Sequence, residues 1–198
     1  MKKFIGLLRK DDAEIIERYA RTAKSVVEFG AGGSTHIIAQ TIAPTSSFTS
    51  FETDAKWIAL TKDRLARLKV AGRAKLLPHA QWPKLRTTLK PDLVFVDGLW
   101  ALRRGFALEA WPQLRIGGHM LLHDTRRAKD IANVAAIVGT HFLEIESVLA
   151  NAKHAGRTTN VTVIRKKARE PEVNWYKTEG KPRWAYGLDP AIPASFWR

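Results

Sequence analysis

A run of glycines joins an apolar stretch to a helical pattern in SVVEFGAGGSTHIIAQ, residues 25–40. Glycine allows the backbone to come close to a ligand, and the first turn of a helix offers free N–H groups to it. The carboxylate of Glu28 stands near the end of the apolar stretch, just before Gly30. This combination is typical of sites for ligands that contain a nucleoside.

Two such ligands use a glycine loop of this kind. A dinucleotide takes glycines in the order G-x-G-x-x-G. Gly30 and Gly32 fit that order, but Thr35 stands at the third position, which disfavours NAD. The alternative is S-adenosylmethionine, whose cationic end would face the carboxylate of Glu28.

Two more carboxylates follow apolar stretches. Glu52 ends SSFTSFE, about 20 residues beyond the glycine loop, where a carboxylate accepts hydrogen bonds from ribose hydroxyls. Asp97 follows LVFV, and ligands of open parallel sheets bind outside the carboxyl ends of the strands. We therefore expect both carboxylates at the ligand site.

The elements that position these residues alternate between strand-like and helix-like patterns, which predicts an α/β fold with a mostly parallel sheet. The predicted strands are VVEF, SSFTSFE, AKLLPH, PDLVFVDG, HMLLHD, FLEIESVL and NVTVIRK. The last two are predicted to pair as an antiparallel hairpin at the sheet edge. Helices are predicted to begin with Asp11 or Asp12 as N-cap, near Ser34, and with Asp54 as N-cap, the last carrying Trp57 on its apolar face.

The composition limits the kinds of protein to which the chain can belong. The 198 residues, 45% of them hydrophobic, contain no Pro/Gly/Ser-rich linker, so we expect one domain over residues 1–198 with its core at residues 11–167. Residues 168–198 are rich in aromatic residues, and we expect this irregular extension to pack on the core. The absence of cysteine and of signal-peptide or membrane-length apolar stretches favours a cytoplasmic protein without a membrane partner.

Four segments in order resemble the motifs of the class I S-adenosylmethionine-dependent methyltransferases, in their small-molecule branch: EFGAGGST, SFETDAKW, PDLVFVDG and LRIGGHMLLHDT. The resemblance spans residues 11–167. It implies a Rossmann-like three-layer sandwich with a mostly parallel seven-stranded sheet, whose last two strands form the C-terminal antiparallel hairpin. The irregular aromatic-rich tail follows that sheet.

The resemblance also implies which residues bind the cofactor. Around the methionine part we expect the glycine loop with Glu28 and Ser34, at the ribose Glu52, and at the adenine edge residues 79–81. The full expected set is Glu28, Phe29, Gly30, Ala31, Gly32, Ser34, Thr35, Glu52, Thr53, His79, Ala80 and Asp97.

The catalytic candidates follow the fourth and fifth strands and are Asp97, His123 and Asp124. His123 is a candidate general base, because the ordinary pKa of histidine lies near neutral pH. Metal-dependent catechol-type O-methyltransferases, which this region resembles in outline, bind a divalent cation with one Asp after strand four and an Asp-Asn pair after strand five. Asp97 and Asp124 match that layout, but Thr125 replaces the Asn, and no lysine follows Asp97. We therefore assign no metal ligands and keep Mg²⁺ as an alternative, since that ion retains much of its hydration shell.

The predicted reaction is methyl transfer to a small molecule, at an oxygen atom. Such a transfer is an in-line displacement, so the enzyme aligns the nucleophile and, where needed, removes its proton. Arg126 and Arg127 are candidates to bind an anionic acceptor through forked hydrogen bonds.

Two alternatives stay open. The net charge of +14 favours an RNA-directed methyltransferase, although DGLW at the end of strand four lacks the Asp/Asn-Pro-Pro-aromatic motif of enzymes that methylate base nitrogens. The missing lysine and Asn favour a protein that binds the cofactor without catalysis. The aromatic residues of the tail are also candidates for a homodimer contact.

Overall fold

One sheet of seven strands runs through the part of the chain that the computed structural model describes, residues 8–167. Its parallel strands are β1 (Ser25–Phe29), β2 (Ser47–Glu52), β3 (Lys75–Pro78), β4 (Leu93–Val96) and β5 (His119–Leu122). Two further strands of this sheet follow in the chain, β6 (Ile145–Leu149) and β9 (Thr162–Lys166). Between them β7 (Lys153–His154) and β8 (Arg157–Thr158) form a separate antiparallel pair.

The order of the strands in the sheet is β3-β2-β1-β4-β5-β9-β6, and β9 is antiparallel to both of its neighbours. The predicted mostly parallel, seven-stranded sheet with a C-terminal antiparallel hairpin is therefore confirmed. The predicted packing of the extension at residues 168–198 lies outside the described residues.

Six helices accompany the sheet within residues 8–167: α1 (Lys10–Ala20), α2 (Gly33–Thr41), α3 (Ala55–Arg67), α4 (Trp82–Leu85), α5 (Arg103–Ala110) and α6 (Ala128–His141). Of these, none has the length and apolar character that crossing a bilayer requires. Asp54 caps α3 as predicted, because its carboxylate accepts a hydrogen bond from the backbone nitrogen of Lys56 at 2.8 Å.

The predicted cap of α1 is wrong. The helix begins at Lys10, so Asp11 and Asp12 both lie in its first turn, where negative charge favours the helix dipole. Asp12 is buried there, and its carboxylate accepts a hydrogen bond from the backbone nitrogen of Asn160 at 2.6 Å. The start of α1 is thereby held against the loop that precedes β9.

Both faces of the sheet are covered, because successive side chains of a strand point to opposite faces. Val26 belongs to a core cluster with Ile15 of α1 and Ile38 of α2. Its neighbour Val27 belongs to a second cluster with Phe106 of α5. The helices on the two faces and the sheet between them form the predicted three-layer sandwich.

Candidate functional site

A cleft of about 730 Å³ opens where β1, β2, β4 and β5 end. Ligands of open parallel sheets bind at this edge, at the point where the order of the strands reverses, which here is β1. The residues that line the cleft are Leu8, Gly30, Ala31, Gly32, Gly33, Ser34, Glu52, Thr53, Asp54, Trp57, Arg64, Asp97, Gly98, Leu99, Arg103, His123, Asp124 and Arg127. The loops after four strands thus border one cavity.

The floor of the cleft depends on a close approach between two glycines. Gly30 follows β1 with φ +97°, and a Cβ atom added to it would lie 2.2 Å from the backbone nitrogen of Gly98, after β4. Only a residue without a side chain fits this position. The glycine at position 30 is therefore required by the close approach of the two loops, and both glycines line the cleft.

The N-terminus of α2 borders the same cavity. Gly33 and Ser34 are the first residues of the helix and line the cleft. The N–H groups of a first helical turn have no partner within the helix. Just before the helix, the N–H of Gly32 donates to Oγ1 of Thr35 at 2.7 Å. The first turn of α2 offers backbone donors and the positive end of the helix dipole to a carboxylate or another anionic group.

The sequence predicted Glu28 at the ligand site, but the structure does not bring this residue to the cleft. Its side chain is fully buried, and its carboxylate accepts hydrogen bonds from the hydroxyls of Ser34 at 2.5 Å, Thr35 at 2.7 Å and Ser50 at 2.6 Å. Burial raises the pKa of Glu28 to about 7, although the three hydroxyl donors favour the charged form. This carboxylate ties α2 and β2 to the end of β1.

Glu52 lies where the sequence predicted, at the end of β2 and on the cleft. One carboxylate oxygen accepts the N–H of Ala31 at 2.9 Å, and the other accepts the N–H groups of Thr53 at 2.6 Å and Asp54 at 3.0 Å. The side chain is therefore held in place by the glycine loop on one side and by the start of α3 on the other. Because each carboxylate oxygen has two lone-pair sites, the oxygen that bonds Ala31 can accept a further hydrogen bond from a ligand hydroxyl.

Two residues of α3 line the cleft without having been predicted. Trp57 was expected on the apolar face of the helix, but its side chain is 36% exposed and its indole N–H donates to the carbonyl of Ala31. The guanidinium of Arg64 lies 5.6 Å from the centroid of the Trp57 ring. The signal in the sequence was the position of Trp57 in the first turn after the Asp54 cap, which places it at the same sheet edge as Glu52.

Four other residues of the expected cofactor set do not line the cleft. Phe29 is fully buried, and its ring packs in the core against Phe106 at a centroid distance of 4.9 Å. His79 also packs against Phe106, at 4.5 Å, and Ala80 follows it in a short turn after β3. Thr35 is fully buried and donates its hydroxyl hydrogen to Glu28. Residues 79–81, which were expected at the adenine edge, lie outside the lining of the cleft, and their contact with adenine stays a prediction.

The opposite end of the cleft holds a network of charges. Arg103, the first residue of α5, is 7% exposed. Its Nη2 lies 2.5 Å from Asp97, and its Nη1 lies 3.0 Å from Asp124 and 3.1 Å from Asp130. Its Nε donates to the carbonyl of Gly98 at 3.1 Å. A single guanidinium thereby connects the ends of β4 and β5 to the first turn of α6.

His123 stands among three carboxylates. Its Nε2 lies 3.5 Å from Asp12, and its Nδ1 lies 3.3 Å from Asp97 and 3.6 Å from Asp124. Burial disfavours the charged ring, but the surrounding carboxylates outweigh burial and raise the pKa of His123 to about 9. The expected general base is therefore a charged imidazolium at neutral pH, which can donate a proton but cannot accept one.

The residues beyond Asp124 serve mainly to fix the loop after β5. The Thr125 hydroxyl lies 2.9 Å from Oδ1 of Asn151 and 2.8 Å from the hydroxyl of Thr162, so it is turned towards β9. Arg126 donates its backbone N–H to Asn160. Arg127 is half-exposed, lines the cleft and lies 2.7 Å from Asp124. Of the two arginines expected to bind an acceptor, only Arg127 borders the cavity.

The acidic end of the cleft contains three side chains of the types that bind a divalent cation. Asp97, His123 and Asp124 each offer one ligand atom, and these atoms lie within 4.8 Å of one another. Both carboxylates, however, already pair with the guanidinium of Arg103, at 2.5 Å and 3.0 Å. The hydroxyl of Thr125, which stands where the Asn would be, points elsewhere. The donor set does not fit a divalent cation.

Comparison with known proteins gives a likeness of fold. No protein-family model matches the chain, and no curated protein matches its sequence. The O-methyltransferase from Bacillus cereus in complex with SAH superposes with a TM-score of 0.66 at 11% identity, over 79% of this chain and 80% of that one. The O-methyltransferase TomG from Streptomyces achromogenes, in complex with SAM, gives 0.64 at 14% identity, over 80% of each chain.

The SAH-bound methyltransferase from Podospora anserina gives a TM-score of 0.60 at 21% identity, over 79% of this chain and 78% of that one. At such identities the likeness shows the fold. The chain therefore has the Rossmann-like fold of these methyltransferases, as the sequence predicted.

Proposed function

We propose that the protein is an S-adenosylmethionine-dependent methyltransferase that acts on an oxygen atom of a small molecule. The observation that carries the proposal is the cleft at the end of β1, which combines the first turn of α2 with the carboxylate of Glu52. The first turn of α2 offers hydrogen-bond donors for a carboxylate, and Glu52 accepts hydrogen bonds from hydroxyls. The fold, shared with methyltransferases solved with SAM or SAH bound, supports this reading.

The residues of the cleft divide between the parts of the cofactor. The first turn of α2, at Gly33 and Ser34, would hold the methionine carboxylate, and Glu52 would hold the ribose hydroxyls. Trp57 would offer an aromatic surface beside the glycine loop. When bound, the cofactor supplies a methyl group on a positively charged sulfur. The protein then has to align the acceptor oxygen with that methyl group.

The charges at the other end of the cleft bear on the choice of acceptor. His123 is protonated at neutral pH, and the pKa of Asp97 is low because the positive charges of His123 and Arg103 outweigh the effect of its burial. Neither group is then a strong base. We infer an acceptor whose oxygen is ionised at neutral pH, such as a carboxylic acid or a phenol made acidic by electron-withdrawing substituents, because it reaches the site without its proton and needs no base. The half-exposed Arg127 would attract its negative charge.

Calorimetric titration with S-adenosylhomocysteine tests the proposal. We expect micromolar binding to the full chain and a loss of about tenfold or more in Glu52→Gln, which keeps the shape of the side chain and removes its charge. Asp63→Asn changes one exposed carboxylate of α3 that does not line the cleft, and serves as the matched control. Absence of binding to the wild-type chain would refute the proposal.

Two alternatives give different results in the same assays. A protein that binds the cofactor without catalysis would bind S-adenosylhomocysteine and show no methyl transfer to any phenol or acid. An RNA-directed enzyme, which the net charge of +14 favours, would bind RNA with an affinity that falls steeply as salt rises. The homodimer contact expected of the aromatic tail concerns residues outside the described range and stays a prediction.

A further inference from the structure

We propose that the guanidinium of Arg103 is a built-in cation that takes the place of a divalent metal ion at the acidic end of the cleft. The cluster formed by Asp97, His123 and Asp124 then neither binds nor requires Mg²⁺, Mn²⁺ or Ca²⁺. The metal-binding claim stands on the contacts of Arg103 alone. Its consequence for catalysis, that methyl transfer is independent of metal, rests on the proposed function.

The contacts of Arg103 show how the space is filled. The candidate ligand oxygens of Asp97 and Asp124 lie within 4.8 Å of each other, a spacing that two ligands of one cation can adopt. Arg103 reaches both carboxylates at once, with Nη2 at 2.5 Å from Asp97 and Nη1 at 3.0 Å from Asp124. A planar guanidinium with a fixed fork of donors suits this bridging position. An ion would have to displace it.

Displacement of Arg103 is costly because its other donors are also engaged. Its Nη1 binds Asp130, which is 2% exposed, and its Nε donates to the carbonyl of Gly98. A displaced side chain would leave the buried carboxylate of Asp130 and the partly buried carbonyl of Gly98 without this partner. Arg103 is therefore fixed by residues that a cation would not contact.

Two fixed positive charges also lie beside the cluster. The guanidinium groups of Arg103 and Arg127 both pair with Asp124, at 3.0 Å and 2.7 Å. A divalent cation bound by Asp97 and Asp124 would lie close to both, and the repulsion between like charges would weaken its binding.

Titration of the full chain with Mn²⁺, followed by the loss of the free-ion signal in electron paramagnetic resonance, tests the inference. We expect no binding to the wild-type chain tighter than about 10⁻³ M, which is the weak end of protein sites for hard cations. Arg103→Ala should gain a site at least about tenfold tighter, and Arg103→Ala with Asp97→Asn should lose it again. Arg104→Ala, an exposed neighbour on the same helix, should behave as the wild-type chain does.

Tight Mn²⁺ binding by the wild-type chain that Asp97→Asn abolishes would overturn the inference. So would an Arg103→Ala variant that folds and gains no Mn²⁺ site. If Arg103→Ala does not fold, Arg103→Gln, which keeps one donor for these carboxylates, takes its place with the same expected gain. Because none of these measurements uses S-adenosylhomocysteine, their outcome is independent of whether the proposed function holds.

Discussion

The backbones of Gly30 and Gly98 touch where the loops after β1 and β4 meet, so that a Cβ atom at position 30 would lie 2.2 Å from the nitrogen of Gly98. Gly30 also has a positive φ, which side chains disfavour. Gly30→Ala should therefore lower the free energy of unfolding by about 3 kcal/mol or more, as measured by urea denaturation.

Gly32 provides the matched control for this substitution. A Cβ atom at position 32 would meet only the indole nitrogen of Trp57, at an ordinary distance of 3.6 Å. Gly32→Ala should change the free energy of unfolding by no more than about 1 kcal/mol. Equal losses for the two variants would show that the approach of Gly98 does not set the cost.

The buried carboxyl of Glu28 predicts a pH dependence of stability. Burial raises its pKa from 4.5 to about 7, so the folded chain holds this proton more tightly than the unfolded chain does. The free energy of unfolding should fall by about 3 kcal/mol as pH rises from about 4.5 to about 7, and this contribution should be level above that.

Glu28→Gln should remove this fall, because the amide does not titrate. Urea denaturation of both chains at several pH values between 4 and 8 provides the measurement. Asp63→Asn, which also removes one carboxylate, serves as the control for the change in charge. A wild-type slope that persists in Glu28→Gln would assign the pH dependence to another group.

His123 predicts a dependence of the same sign, but over a higher range of pH. Its pKa is raised from 6.5 to about 9 by the carboxylates that surround it, despite its burial. The stability that its charge contributes is fully present below pH 6.5 and is lost as pH rises through about 9.

Nuclear magnetic resonance of the ring protons measures the titration of His123 directly. We expect a midpoint above 8, and a midpoint near the ordinary value of histidine would refute the assignment of a ring that is charged at neutral pH. His36 is an internal control, because burial lowers its pKa to about 4.

Arg103 is expected to be the most sensitive charged residue of the cleft. Arg103→Met leaves three carboxylates without their shared partner and should cost about 3–5 kcal/mol in the free energy of unfolding. Arg103→Lys should cost less, because one ammonium group keeps part of the pairing. Arg104→Met should stay within about 0.5 kcal/mol, and a loss as large as that of Arg103→Met would contradict the account.

The sheet could be predicted from the sequence because the residues that specify each strand are close together in the chain. Apolar runs such as LVFV are long enough to specify buried strands, and the residues that end them, Glu52 and Asp97, lie at the predicted edge. The cap at Asp54 was also predicted correctly, since a capping side chain bonds to the backbone of the residues that directly follow it.

The roles of individual side chains depended on contacts between distant positions. Thr35 was read as a departure from a dinucleotide motif, yet it binds Glu28 and the N–H of Gly32. The pKa of His123 is raised in part by Asp12, which lies more than 100 positions away along the chain, so an ordinary pKa was assumed for it. The sequence contains no pattern that reports such pairings.

Chemical-shift mapping with S-adenosylhomocysteine on the ¹⁵N-labelled chain tests the central claim most directly, because it locates the ligand as well as detecting it. We predict saturable shifts at Gly32, Gly33, Glu52 and Thr53, which line the cleft, and none at β6 on the far edge of the sheet. Shifts confined to another surface, or no shifts at millimolar ligand, would contradict the assignment of this cleft as the cofactor site.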